Sequence, residues 1–121
     1  FEGLKSYTTE DGGILTFRPD LNAERMENSA ISLQMPVFPK KRFLDAVDQV
    51  IAANVAYLPP YGFGATFYLR PYMFGSNPVI GVKPAHEYQF NIFKVVPNRS
   101  LLKSVITIEQ RLTELDILKW D

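Results

Sequence analysis

Apolar residues at helical spacing occupy the middle of this 121-residue chain, and apolar residues in alternation flank them on both sides. That order constrains the fold more than any single motif. Residues 1–8 alternate loosely, Glu10-Asp11-Gly12-Gly13 supplies a turn, and Ile14, Leu15 and Phe17 resume an apolar run, which together predict a hairpin. Arg18-Pro19-Asp20 breaks the strand, and Asp20 or Asn22 can accept bonds from the first free amides of a helix. Leu21, Met26, Ala30 and Leu33, spaced near 3.6, carry that helix to about Gln34, and Pro36 closes it. A second helix starts near Pro39 and ends near Asn54, with Phe43, Leu44, Val47, Val50 and Ile51 on one stripe. Leu58-Pro59-Pro60-Tyr61-Gly62-Phe63-Gly64 is a connector in which Gly62 and Gly64 serve turns, since no phosphate-loop spacing follows. It leads into a strand around Tyr68 that Pro71 should end, bulge or confine to an edge. After the breakers at Asn77-Pro78 and residues 81–84, residues 87–96 form another strand with Tyr88, Phe90, Ile92 and Lys94 on one side. Strand, strand, helix, helix, strand, strand predicts an α+β fold, an antiparallel sheet with helices packed on one face.

Residues 1–96 thus read as one domain. Residues 97–121 are an atypical tail, in which Leu101, Val105, Ile108, Leu112 and Leu115 have helical spacing while the β-branched run Val105-Ile106-Thr107-Ile108 opposes it. With thirteen basic and thirteen acidic residues the formal net charge is zero, so no field gathers nucleic acid or an anionic membrane. No apolar run approaches the ~20 residues of a membrane-spanning helix. The absence of cysteine excludes disulfides, thiolate metal sites and a cysteine nucleophile, and accords with a cytoplasmic location. His86 is the one histidine and lacks a second ligand or a nucleophile in its pattern, so a strand-edge or surface role is expected and no metal. The first residue is Phe1, which reads as a piece of something longer.

Alternation in Tyr68-Leu69-Arg70-Pro71 puts the Tyr68 hydroxyl and the Arg70 guanidinium on one side of the strand, with Thr66 and Tyr72, and leaves Phe67, Leu69 and Met73 on the other. A guanidinium grips a carboxylate in two parallel bonds, and a phenol adds a donor without adding charge. The competing reading is a half-buried strand with a tyrosine-rich outer face.

Five segments, in order, carry a family resemblance: Phe1-Glu2-Gly3-Leu4-Lys5, Phe17-Arg18-Pro19-Asp20-Leu21-Asn22, Arg25-Met26 with Ser29-Ala30, Met35-Pro36, and Tyr68-Leu69-Arg70-Pro71. They closely resemble the amino-terminal small domain of branched-chain amino acid aminotransferases, pyridoxal phosphate enzymes of fold type IV. The resemblance implies that residues 1–96 are one part of an enclosure for the cofactor pyridoxal 5'-phosphate, completed by a larger domain. It implies amino-group transfer between leucine, isoleucine or valine and 2-oxoglutarate, in a homodimer. By position, Arg25 matches the arginine on the cofactor phosphate, where a place in the first turn of its helix would let the dipole assist. Tyr68 matches a tyrosine near the substrate carboxylate, and Arg70 an arginine that helps admit the side-chain carboxylate of glutamate. Phe1 matches a phenylalanine of the apolar side-chain pocket, where each buried methylene is worth ~0.8 kcal/mol. The alternatives are a solvated helix arginine for Arg25 and a strand core residue for Phe1.

The sequence departs from the pattern in three ways. The family lysine that moves the substrate proton lies in the large domain, and none of Lys5, Lys40, Lys41, Lys83, Lys94, Lys103 or Lys119 matches it. No catalytic residue is therefore assigned, and the chain alone is expected to lack turnover. Asn28 stands where many relatives carry a second arginine. After the last small-domain strand the family continues into Gly-Pro-Tyr, whereas here the chain reads Asn98-Arg99-Ser100-Leu101. Some codons for those four residues, read one nucleotide later, encode Ile-Gly-Pro-Tyr, so a shifted frame is one origin for the tail; an internal deletion is another. The rival functions are another fold type IV activity, such as D-amino acid transaminase or aminodeoxychorismate lyase, and a non-catalytic fragment or interaction module.

Overall fold

A computed structural model describes residues 1–95 with their side chains, and the backbone of residues 110–112. The elements are β1 (Leu4–Thr8), β2 (Ile14–Thr16), α1 (Pro19–Ser32), α2 (Lys40–Ala53), a single 3-10 turn (Val55–Tyr57), β3 (Phe67–Gly75), β4 (Tyr88–Val95) and β5 (Gln110–Leu112). All strands are antiparallel in the order β2-β1-β3-β4-β5. The α+β expectation holds. For the tail, the backbone of Gln110–Leu112 pairs with Phe90, Asn91 and Ile92 of β4 where a helix was expected. The rest of that predicted helix lies outside the described residues.

Period-two alternation decides what the sheet buries. Leu4 of β1, Phe67 and Leu69 of β3, and Phe90 and Ile92 of β4 meet Ala23 and Met26 of α1 and Phe43, Ala46, Val47, Val50 and Ile51 of α2. Phe38, between the helices, stacks on Phe90 with ring centroids 3.7 Å apart and planes 9° apart. The α2 stripe is as predicted, except that Leu44 is only partly buried and Ala46 joins the core. The α1 stripe is only half as predicted, with Met26 and Ala30 buried. Leu21 and Leu33 are exposed, and Asn22, Ala23, Met26 and Ala30 face inward. Leu21 lies on the far side of the helix from this line, and Leu33 lies past the helix end.

The start of α1 also differs from expectation. Pro19 opens it, its missing donor costing nothing at the first helical position. Arg18 precedes it in the left-handed region at φ 43°, and no side chain caps the helix. Instead Arg18 Nε and Nη2 donate to the two Asp20 carboxylate oxygens at 2.9 and 2.7 Å. The α2 start is served from α1: the Lys40 amide donates to Glu27 Oε1 at 3.0 Å, and Lys40 Nζ pairs with Glu24 Oε1 at 2.6 Å.

Pro71 neither ends β3 nor bulges it, and β3 is interior to the sheet. In an antiparallel ladder a residue's N–H and C=O point to the same neighbour. The Pro71 carbonyl accepts the Glu2 amide at 2.8 Å, so the donor it lacks would also point toward β1. Paired positions on β1 stop at Leu4 opposite Leu69. Proline therefore stands where one side of the strand has just become an edge. On the other side, β3 and β4 pair from Tyr68 opposite Val95 to Gly75 opposite Tyr88.

Two regions match their turn predictions. Gly62 and Gly64 adopt φ of 80° and 74° in the connector. His86 is exposed at the foot of β4, where its amide and that of Glu87 donate to Asn77 Oδ1 at 2.7 and 2.8 Å. Among the described residues no helix is long and apolar enough to cross a membrane, and no group of three or more acidic or histidine side chains could hold a metal ion.

Candidate functional site

Opposite the core residues Phe67 and Leu69, β3 presents Tyr68 and Arg70 together, as alternation requires. Arg70 Cζ lies 5.2 Å from the Tyr68 ring centroid and 5.1 Å from that of Phe1. A planar, weakly hydrated cation beside two rings gains about 0.5–1 kcal/mol from each at an exposed site, so the guanidinium is steered without being neutralised. Phe1 is 82% exposed. It is thus no core residue, and one edge of it borders a shallow apolar cleft with Met26, Ala30 and Met73. Tyr72 continues the same row, with Phe93 edge-on at 5.8 Å.

Arg25 stands on α1, but in its second turn, because the helix begins at Pro19. The helix dipole fades beyond the first turn, so the expected assistance from it falls away. A different device orients this arginine. Its Nη2 donates to Glu2 Oε2 at 2.8 Å and its Nε to Glu2 Oε1 at 3.3 Å, while Asn22 Nδ2 donates to Glu2 Oε2 at 2.8 Å and to the Gly3 carbonyl at 3.1 Å. The Glu2 side chain is 9% exposed and that of Arg25 62% exposed. The carboxylate is the buried, fixed end of the pair and the guanidinium its outward end. The Glu2 bond and charge hold the Arg25 proton even more firmly than usual.

Arg25 and Tyr68 meet at one groove of about 270 Å³, whose lining also includes Gly3, Lys5, Arg18 and Asn22 and no acidic side chain. A larger cavity of about 590 Å³, between the β1–β2 turn and the connector, contains none of the candidate residues and has Glu10 as its charged group. The smaller groove is the one suited to an anion. Its cationic side chains are Lys5, Arg18 and Arg25, of which Arg18 is paired with Asp20 and Arg25 with Glu2, and the phenols of Tyr7 and Tyr68 add donors a phosphate monoester can use, while the Asn22 amide is committed to Glu2 and Gly3. Tyr68 therefore belongs to two settings, the basic groove and the Phe1–Arg70 row. Arg25 and Arg70 do not share the groove's lining.

Sequence reasoning quoted Glu2 and Gly3 as parts of a motif without giving them roles, and offered Asn22 as a helix cap where its amide in fact bonds Glu2 and the Gly3 carbonyl. The available signal was an acidic residue at an inward-facing position of a strand, which must find a partner to be buried. Lys94 was placed on the inward side of β4 and is fully buried there. Asn28 is exposed and donates no side-chain bond to the groove; its carbonyl accepts from Ser32 Oγ at 2.9 Å.

No family model matches the chain. Curated proteins do. The chain is 50% identical over 93 residues to a branched-chain-amino-acid aminotransferase of Haemophilus influenzae, covering 77% of this chain and 27% of that protein. It is 41% identical over 90 residues to one of Mycolicibacterium smegmatis, covering 74% of this chain and 24% of that protein. A methionine aminotransferase of Arabidopsis thaliana matches at 47% over 93 residues, 77% of this chain and 26% of that protein. The chain spans about a quarter of the length of the curated relatives it matches, and over that span its sequence is similar to a part of those aminotransferases.

Proposed function

We propose, from this shared sequence, that the chain is the small-domain portion, residues 1–96, of a branched-chain amino acid aminotransferase, with residues 97–121 an added tail. The complete enzyme would exchange an amino group between leucine, isoleucine or valine and 2-oxoglutarate in a cytoplasmic homodimer. Its cofactor would be pyridoxal 5'-phosphate, which when bound supplies the electron sink for chemistry at the substrate α-carbon. The single observation that carries this reading is the 50% identity over 93 residues to a branched-chain-amino-acid aminotransferase, and the basic groove shared by Arg25 and Tyr68, with Arg70 and Phe1 beside it, supports it.

In this reading Arg25 binds the cofactor phosphate, with Lys5 adding charge at the same groove. Tyr68 donates to the substrate carboxylate. Arg70 meets the side-chain carboxylate of a glutamate-like substrate at the edge of an apolar wall begun by Phe1. A site that accepts leucine and glutamate in turn needs such a wall with a cation that can be engaged or left to solvent, and stacking between two rings keeps Arg70 available for both. The residue that moves the substrate proton would come from outside this chain. Lys94, buried beneath the sheet's helical face, is not at the groove.

Two experiments test the reading. Borohydride reduction of the purified chain with pyridoxal 5'-phosphate, followed by peptide mapping, is expected to mark no single lysine, and leucine with 2-oxoglutarate to give no turnover. A single marked lysine accompanied by turnover would show a complete centre and overturn the assignment. Second, replacing the matching 93 residues of the Haemophilus influenzae aminotransferase with those of this chain should preserve leucine transamination, and Arg25→Ala in that chimera should weaken cofactor retention. A folded chimera without leucine turnover would refute the family role.

A further inference from the structure

We infer that the Glu2-Gly3 step is the positioning element of the groove: Glu2 sets the Arg25 guanidinium toward one phosphate-sized anion, and Gly3 admits the Tyr68 hydroxyl to the same lining. This rests on the functional reading above and adds to it two residues that touch no ligand. Three observations carry it. Glu2 is anchored on two sides, its amide donating to the Pro71 carbonyl at 2.8 Å and its buried carboxylate accepting from Asn22 and Arg25. It takes Nε and Nη2 of Arg25, the two nitrogens on one edge of the fork, and leaves the other donors of the guanidinium directed to the exposed side. A Cβ built on Gly3 would lie 2.4 Å from the Tyr68 hydroxyl oxygen and 3.2 Å from the ring carbon that bears it. Gly3 has no left-handed φ, so space alone explains glycine there.

The consequences of the two residues have opposite signs from those of a bland role. Glu2 is a negative charge within hydrogen-bonding distance of the cation that receives the anion. Were it only a counter-ion, removing its charge would strengthen anion binding; as a positioning residue, its removal weakens binding because Arg25 loses its direction. Likewise an added methyl at Gly3 meets the far end of a side chain that can swing away. It should leave stability nearly unchanged and cost only what the Tyr68 hydroxyl contributes.

The test uses the whole chain and pyridoxine 5'-phosphate, which has an alcohol in place of the aldehyde and forms no imine with lysine. Binding is followed by calorimetry and by the Arg25 Nε–H signal in NMR spectra. Wild type should bind saturably and Arg25→Ala should lose this. Glu2→Gln should weaken binding about tenfold, the range of one charge-assisted bond, and Glu2→Asp, which keeps the charge but withdraws it, should do the same. Gly3→Ala and Tyr68→Phe, which alter the substrate side of the reading above, should leave this binding unchanged. Binding as tight or tighter in both Glu2 variants would overturn the positioning role alone. Absence of saturable binding by wild type, or undiminished binding by Arg25→Ala, would overturn the functional reading and this inference with it.

Discussion

Lys94→Met should stabilise the fold. Lys94 has no exposed surface, and its Nζ has no hydrogen-bond partner among the described residues. The amine lies 4.4 Å from the Tyr57 ring centroid and 5.7 Å from that of Phe67. Two cation–π contacts would return about 1–2 kcal/mol to a charged amine. Stripping water from an ammonium costs several kcal/mol even after relaxation. Desolvation therefore wins, and burial pushes the Lys94 amine below its usual lysine value. Since the native state then binds fewer protons than the unfolded chain, stability rises with pH from the lowered native value to about 10.4, where the unfolded lysine also loses its proton. Methionine keeps the unbranched stem, can place its sulfur against the same rings, and removes both the proton equilibrium and the unpartnered nitrogen. The unpartnered amine alone is worth about 1–3 kcal/mol, which is on the order of a 1 M rise in urea midpoint for a domain this size. The gain should be larger at pH 7 than at pH 10. Equilibrium urea unfolding of both proteins at the two pH values measures it. A loss of stability in Lys94→Met, or an equal gain at both pH values, would refute the argument.

Phe38→Ala removes the ring stacked on Phe90 and should cost about 3–5 kcal/mol in denaturant unfolding, since the surrounding helices and sheet can only partly close the gap. Glu27→Ala withdraws the acceptor of the Lys40 amide at the start of α2 and should cost about 1 kcal/mol, read as a lower thermal midpoint. The Arg18 bonds hold the Asp20 carboxyl down at about 2, so its contribution is complete above the ordinary carboxylate range and is lost as pH falls through about 2. Arg18→Ala should return the Asp20 midpoint toward about 3.9 in an NMR titration, and an unmoved midpoint would rule out the pair in solution.

What the sequence disclosed was whatever repeats with the geometry of a single element. The α2 stripe and the two faces of β3 and β4 follow from periods of 3.6 and 2, and the glycines at 62 and 64 from turn chemistry. What escaped depends on a second element. The buried line of α1 could not be judged from its leucines, because Leu21 faces away from the core and Leu33 lies past the helix end, leaving Ala23, Met26 and Ala30 as its buried apolar residues. Pro71 looked like a terminator until the length of β1 was known. The role of Glu2 was hidden because its partners lie twenty and twenty-three residues further on, at Asn22 and Arg25. The resemblance selected Arg25, and it took tertiary geometry to supply the reason this arginine points outward.

Pro71 also links stability to the proposed chemistry. By offering a carbonyl and no amide to β1, it permits one bond from Glu2 and prevents the ladder from continuing past it. Residues 1–3 consequently leave the regular pairing just as Glu2 turns its carboxylate to α1 and Phe1 moves against Arg70. Were β1 to run three residues further in register, alternation would still bury Glu2, but Phe1 would be fixed as a strand residue rather than free to lean on the guanidinium. The early end of one strand thus accounts for two arrangements at once: a carboxylate committed to Arg25 and an aromatic ring placed beside Arg70, on either side of Tyr68.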